Sequence, residues 1–115
     1  MPLVKIETSI VLSEEKRQGL LACLSKTVAE AIGKPEQYVM AAMSEADIQM
    51  SGTPGDAAFV DIRSIGGLTD DVIRTLAQKV CKLLADSLGI PANRIYLNFT
   101  DIAASHWGWN GSTFG

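Results

Sequence analysis

A two-layer α+β fold, with two helices on one face of a four-stranded mixed sheet, follows from three observations on the 115-residue sequence. The chain repeats itself once at a fixed offset. Each copy reads strand–helix–strand. The strand positions that point away from the helices still carry apolar side chains. At a shift of 56 positions Val4 meets Val60, Ile6 meets Ile62, Leu12 meets Leu68, and Ser13-Glu14-Glu15 meets Thr69-Asp70-Asp71. Leu20, Leu24, Val28 and Ile32 meet Leu76, Val80, Leu84 and Leu88, and Gly33-Lys34-Pro35 meets Gly89-Ile90-Pro91 without a gap. Agreement in both pattern and punctuation marks two copies of one supersecondary unit. The first copy spans about 2–50, the second about 57–101, and a C-terminal aromatic tail, 102–115, completes a single domain.

Val4 and Ile6 alternate with Lys5 and Glu7, the period of a half-buried strand. Ser13 before Glu14 and Glu15 starts a helix: the hydroxyl accepts an orphan N–H, and the acids complement the positive end of the helix dipole. The four-residue spacing of Leu20, Leu24, Val28 and Ile32 gives that helix an apolar stripe, and Gly33 with Pro35 ends it. Tyr38 to Met43 reads as the second strand. The same signals predict a strand over 57–64, a helix over 69–88 and a strand over 94–100, after a turn-rich loop, Ser51-Gly52-Thr53-Pro54-Gly55-Asp56. Asn110-Gly111 in the tail is a hairpin-turn dipeptide. Each strand–helix–strand crossover is right-handed with its strands parallel, so the repeats are related by a pseudo-twofold axis.

Val4, Ile6, Val60 and Ile62 face the helices, so Leu3, Lys5, Glu7, Phe59, Asp61 and Arg63 face the other way, joined by Met40, Tyr96 and Asn98. A monomer leaves Leu3, Phe59, Met40 and Tyr96 bare, and an apolar patch of that kind marks an interface. The expected assembly is a homo-oligomer whose open sheet faces surround a shared centre; the alternative is a monomer with an apolar face.

Composition narrows the function classes. Net charge is −3, and each half of the chain, divided after Asp56, holds five Lys/Arg, so no basic footprint for nucleic acid or an anionic membrane exists. Apolar runs are too short to span a bilayer. The opening Val4-Lys5-Ile6-Glu7 is no secretory h-region. Cys23 and Cys81 read as reduced, buried, helix-borne thiols, which places the protein in the cytoplasm. No spacing of His, Cys and acids forms a metal site, and no Gly-rich phosphate loop is present, so no metal or organic cofactor is expected. His106, the only histidine, reads as structural or solvated.

Pro2 is the unusual position. Removal of Met1 leaves a secondary amine, and burial or a nearby cation lowers the pKa of such an amine. A base that is neutral near working pH can take a proton from carbon beside a carbonyl and return it elsewhere. The alternative is that Pro2 merely begins an edge strand, where its missing N–H does no harm.

The opening Met1-Pro2-Leu3, Gly33-Lys34-Pro35-Glu36-Gln37-Tyr38, Ser64-Ile65-Gly66-Gly67, Arg94-Ile95-Tyr96-Leu97-Asn98-Phe99 and Gly108-Trp109-Asn110-Gly111-Ser112-Thr113-Phe114 give the chain a resemblance to the macrophage migration inhibitory factor family of the tautomerase superfamily. The resemblance covers nearly the whole chain. It implies the tautomerase fold assembled as a homotrimer, and a keto–enol tautomerase acting on small aromatic α-keto acids such as phenylpyruvate, or on dopachrome-like compounds. On that pattern Pro2 is the catalytic base, Lys34 binds the substrate carboxylate and Ile65 supplies a main-chain contact. Tyr96 and Asn98 come from a neighbouring subunit, and Tyr38, Trp109 and Phe114 line the pocket.

Three features depart from the family pattern. Ala57-Ala58-Phe59-Val60 stands where vertebrate members carry Cys-x-x-Cys, so no thiol–disulfide chemistry is expected. Trp107 replaces a smaller pocket residue, and Leu3 replaces a common methionine. The rival function is a non-enzymatic, cytokine-like signalling or binding protein; secreted members of the family leave cells without a signal peptide.

Overall fold

The computed structural model describes residues 1–115. Strand β1, Pro2–Thr8, alternates buried and more open positions as its sequence does, and Val4 and Ile6 are fully enclosed. Helix α1, Glu14–Ile32, opens on the Ser13 hydroxyl, which accepts from the Lys16 N–H, and closes at Gly33 in the left-handed region. Strand β2, Met40–Glu45, returns parallel to β1. The second repeat gives β3, Ala58–Ser64, then α2, Asp70–Leu88, capped by Thr69 and Gly89, and β4, Ile95–Asp101, parallel to β3. The sheet order is β2-β1-β3-β4, and β1 and β3 run antiparallel at its centre. That is the mixed sheet expected from two crossovers joined back to back.

The core lies between the sheet and the helices. Val4, Ile6, Val60 and Ile62 from the sheet meet Leu20, Leu24 and Val28 of α1 and Leu76, Val80 and Leu84 of α2. These apolar stripes hold the helices, so truncation is costly. Leu24→Ala, at a fully buried site, should lower the free energy of unfolding in urea by about 2–5 kcal/mol. Cys23→Ala, one residue away on the exposed side, should change it by less than about 0.5 kcal/mol. The loop between the repeats is held by Arg94, whose guanidinium donates to the carbonyls of Met50, Thr53, Gly55 and Asp56.

Several local expectations need correction. Tyr38 is not in a strand: Glu36–Tyr38 form a 3₁₀ turn after Pro35, and β2 begins two residues later, at Met40. The matching turn, Ala92–Arg94, comes after Pro91, so β4 starts at Ile95 rather than at 94. In both repeats the proline bars a direct passage from helix to strand, and one 3₁₀ turn carries the chain back to the sheet. Cys23 is exposed and Cys81 half-buried, because each lies one residue to the side of the apolar stripe, about 100° around the helix. Burial still pushes the Cys81 thiol up from its ordinary value, which leaves it a poor nucleophile. Pro2 begins an interior strand, not an edge one: β1 is flanked by β2 and β3.

After β4 the tail makes a 3₁₀ turn, Ala104–His106, and a hairpin of β5, Gly108–Trp109, and β6, Ser112–Thr113. Asn110 and Gly111 both adopt positive φ, 52° and 80°, as the tightest hairpin turn demands.

Candidate active site

The site is built where β1 begins, where α1 ends and where β3 ends. Pro2 is fully buried as the first residue of β1, opposite Ser64. Gly33, at φ 78°, turns the chain out of α1, and the N–H groups of Gly33 and Lys34 both donate to Ala29 O at 2.9 and 3.0 Å. This exit aims Lys34 back at the sheet. Its Nζ donates to the carbonyl of Ile65, just past β3, at 2.6 Å.

The repeat makes Lys34 stand out physically. Its counterpart in the second copy is Ile90, which is fully buried in the core. Where one repeat places an apolar plug, the other places an ammonium. No carboxylate pairs with it: the ion pairs of the protein are Arg63–Asp61, Arg74–Asp71 and Lys82–Asp86. A half-buried cation with one neutral partner retains an unmet demand for an anion.

Electrostatics at the chain's start reflect that cation. The α-amino group of Met1 is held below its ordinary value, first by burial and then by the charge and hydrogen bonding of Lys34. With Met1 attached, the nitrogen of Pro2 is an amide. Pro2, one residue further in, is the more enclosed of the two positions.

The double glycine after Ile65 lets backbone and lysine approach closely. Gly66 and Gly67 have φ of 72° and 78°, and a Cβ on Gly67 would lie 2.7 Å from Ile32 Cγ2 and 3.6 Å from Lys34 Cε. The loop therefore wraps the lysine stem.

On the open sheet face lies a cavity of about 250 Å³ lined by Leu3, Arg63, Ile102, His106, Trp107 and Gly108, with none of Pro2, Lys34 and Ile65 in its wall. Trp107 thus brings its ring back to the first strand. Trp109 and Phe114 stack on each other across the hairpin, with centroids 6.1 Å apart and planes 15° apart, and both stay exposed. Tyr38 is exposed on its turn, four residues after Lys34.

Of the residues singled out in the sequence, the structure joins Lys34 to Ile65 by a hydrogen bond and sets Pro2 opposite Ser64, the residue before Ile65. Tyr96 and Asn98 lie elsewhere in the same chain. Tyr96 stands opposite Phe59, which stands opposite Glu7, five residues along β1 from Pro2. At about 3.3 Å per residue and about 4.8 Å per strand, that is roughly 19 Å from Pro2, and Asn98 is roughly 14 Å away. The open face keeps Met40 and Tyr96 67% and 66% exposed. Alternation along the strands puts Leu3 and Arg63 on the open face but does not show which neighbours enclose a space, and nothing in the sequence marks Ile102 as a cavity wall.

A family model described as macrophage migration inhibitory factor matches residues 1–115. Similar proteins include a macrophage migration inhibitory factor homolog of Trichuris trichiura, 39% identical over 99% of this chain and 100% of that protein. Another, from Brugia malayi, is 40% identical over the full length of both. Among solved structures, a macrophage migration inhibitory factor homologue from Prochlorococcus marinus superposes with a TM-score of 0.93 at 39% identity, covering 98% of this chain and 99% of that one. A like protein from Entamoeba histolytica gives 0.94 at 34% identity, covering 98% of each.

Proposed function

The chain belongs to the macrophage migration inhibitory factor family, and from that premise we propose that it is a keto–enol tautomerase of small aromatic α-keto acids with Pro2 as its base. The observation that carries the reading is the unpaired Lys34 ammonium beside the buried start of β1. Such a cation serves two ends. It binds a substrate carboxylate, and it keeps the neighbouring prolyl amine neutral. The neutral amine takes the proton from the carbon next to the keto group; the electrons of that C–H bond form the C=C bond as the C=O π pair moves to oxygen, and the prolyl ammonium gives the proton to that oxygen to complete the enol. In the reverse direction the amine accepts the enol proton and delivers one to carbon. Trp107, Trp109, Phe114 and Tyr38 offer apolar rings to an aryl group. The protein's own amine and ammonium suffice for this proton transfer, so no organic or metal cofactor has a part in it.

The full site needs a second copy. Tyr96 and Asn98 are too far from Pro2 in their own chain, and their open face carries the apolar area that a homotrimer would cover. A neighbour's Tyr96 and Asn98 would then close the slot. If Met1 stays in place, the amide at Pro2 has no basic lone pair, and the cytokine-like signalling reading takes over; the intact mass of the native chain separates the two.

The pH dependence tests the pairing of Lys34 with the amine. The base acts only when neutral, so kcat/KM rises with pH through the pKa of the amine. Burial and Lys34 both push that pKa below the ordinary range of about 7.7–8.0. Lys34→Ala should move the ascending limb to higher pH and raise KM for phenylpyruvate by about tenfold or more. A limb that stays in place with an unchanged KM would sink the role given to Lys34.

A further inference from the structure

The Ile65–Gly66 peptide group is held from both ends. Its carbonyl, on Ile65, accepts from Lys34 Nζ at 2.6 Å. Its N–H, on Gly66, donates to Asp101 Oδ1 at 2.9 Å. A cation thus sits at the negative end of one peptide dipole and a carboxylate at the positive end. The next peptide is pinned as well: the Ser64 hydroxyl donates to Gly66 O at 2.8 Å, while Ser64 O accepts from Ile102 N at 2.9 Å. Asp101 and Ile102 thus bracket the loop from the end of β4.

The grip matters because this peptide is otherwise easy to turn. Gly66 and Gly67 both occupy positive φ, and glycine reaches other regions at little cost. Rotation of the 65–66 unit would carry the carbonyl away from Lys34. The Asp101 carboxylate makes no ion pair and no other hydrogen bond. Its one partner is the peptide that anchors the lysine.

We infer that Asp101 is a positioning residue of the site, fixing the Ile65–Gly66 peptide so that the Ile65 carbonyl holds Lys34 ready for a carboxylate. The inference rests on the reading of Lys34 as the carboxylate-binding cation. Asp101 acts through the peptide and the lysine, since its carboxylate holds Gly66 N–H.

Two variants test it. Asp101→Ala removes the acceptor, whereas Asp101→Asn keeps an oxygen that can accept from Gly66. In the free, processed protein Asp101→Ala should shift the Ile65 carbonyl carbon and the Lys34 ammonium resonances, and Asp101→Asn should restore most of both. Phenylacetate, an aryl carboxylate without a keto group, should bind about tenfold more weakly to Asp101→Ala, with Asp101→Asn recovering most of the affinity. For phenylpyruvate the loss should fall on KM, with kcat within about twofold. Unchanged Ile65 and Lys34 resonances in Asp101→Ala overturn the inference, whether or not the protein turns over phenylpyruvate. Equal loss in kcat and affinity in both variants, with a lowered melting temperature, also overturns it. A wild-type protein without turnover defeats the tautomerase reading alone, because the resonances of the free protein still decide the role of Asp101.

Discussion

In the processed chain, Pro2→Gly should lower kcat/KM for the ketonisation of phenylpyruvate by about 10²–10⁴-fold, the usual contribution of a placed acid–base group. The substitution keeps an α-amine at the same point in the chain and leaves Lys34 and the Ile65 carbonyl untouched. What it removes is the ring that fixes the nitrogen's direction at the start of β1 and fills its fully buried surroundings. A glycine amine is free to turn, and its smaller side admits water that favours its protonated form. The loss should therefore appear in kcat more than in KM, since Lys34 still captures the carboxylate. Rates of the processed wild type and Pro2→Gly, measured side by side over a pH series, check this. Equal rates above the uncatalysed background would remove Pro2 from the mechanism.

An equally large effect is expected at a residue that never nears Pro2 in its own chain. Phe59 points from β3 to the open face, 37% exposed, between Glu7 on β1 and Tyr96 on β4. Phe59→Asp places a carboxylate in the apolar area that the proposed trimer covers, without entering the core between sheet and helices. The assembly should fall from three chains to one by light scattering. Activity should drop by about 10²-fold or more, because the slot then lacks a neighbour's Tyr96 and Asn98. The circular dichroism spectrum should keep its helix and sheet signal. A monomeric Phe59→Asp with full turnover would show that one chain makes a complete site.

Much of the fold is legible in the sequence because two copies of the same pattern check each other. The four-residue apolar spacing sets both helices, and Ser13 and Thr69 set their starts, as the capping hydrogen bonds bear out. The chain just beyond each helix is harder to read. Pro35 and Pro91 signal an end but not the 3₁₀ turn after it, so pattern alone puts Tyr38 into a strand that in fact begins at Met40. Residue type suggests a buried Cys23, although its place beside Leu24 on the helix turns it to solvent.

The site is legible in part. Pro2 stands out by chain position. Lys34, Ile65, Tyr38, Trp109 and Phe114 enter through family motifs alone, and the contrast between Lys34 and its repeat counterpart shows only once Ile90 is seen buried in the core. Asp101 gives no signal, because its link to Gly66 depends on the register that sets β4 beside β3, with Asp101 opposite Ser64. Pairing register across a parallel crossover is fixed by packing of the whole unit, and nothing local to Asp101 announces it. Distance across the sheet is equally hidden: alternation puts Tyr96 and Asn98 on the open face, but only the register shows how far from Pro2 they lie.

The most direct measurement is a ¹⁵N NMR titration of the prolyl nitrogen in protein whose mass shows Met1 removed. A single transition below the ordinary α-amino range of about 7.7–8.0 is expected, displaced upward in Lys34→Ala. A nitrogen that titrates at or above that range, or does not titrate because Met1 remains bound to it in the native protein, contradicts the assignment of Pro2 as the base.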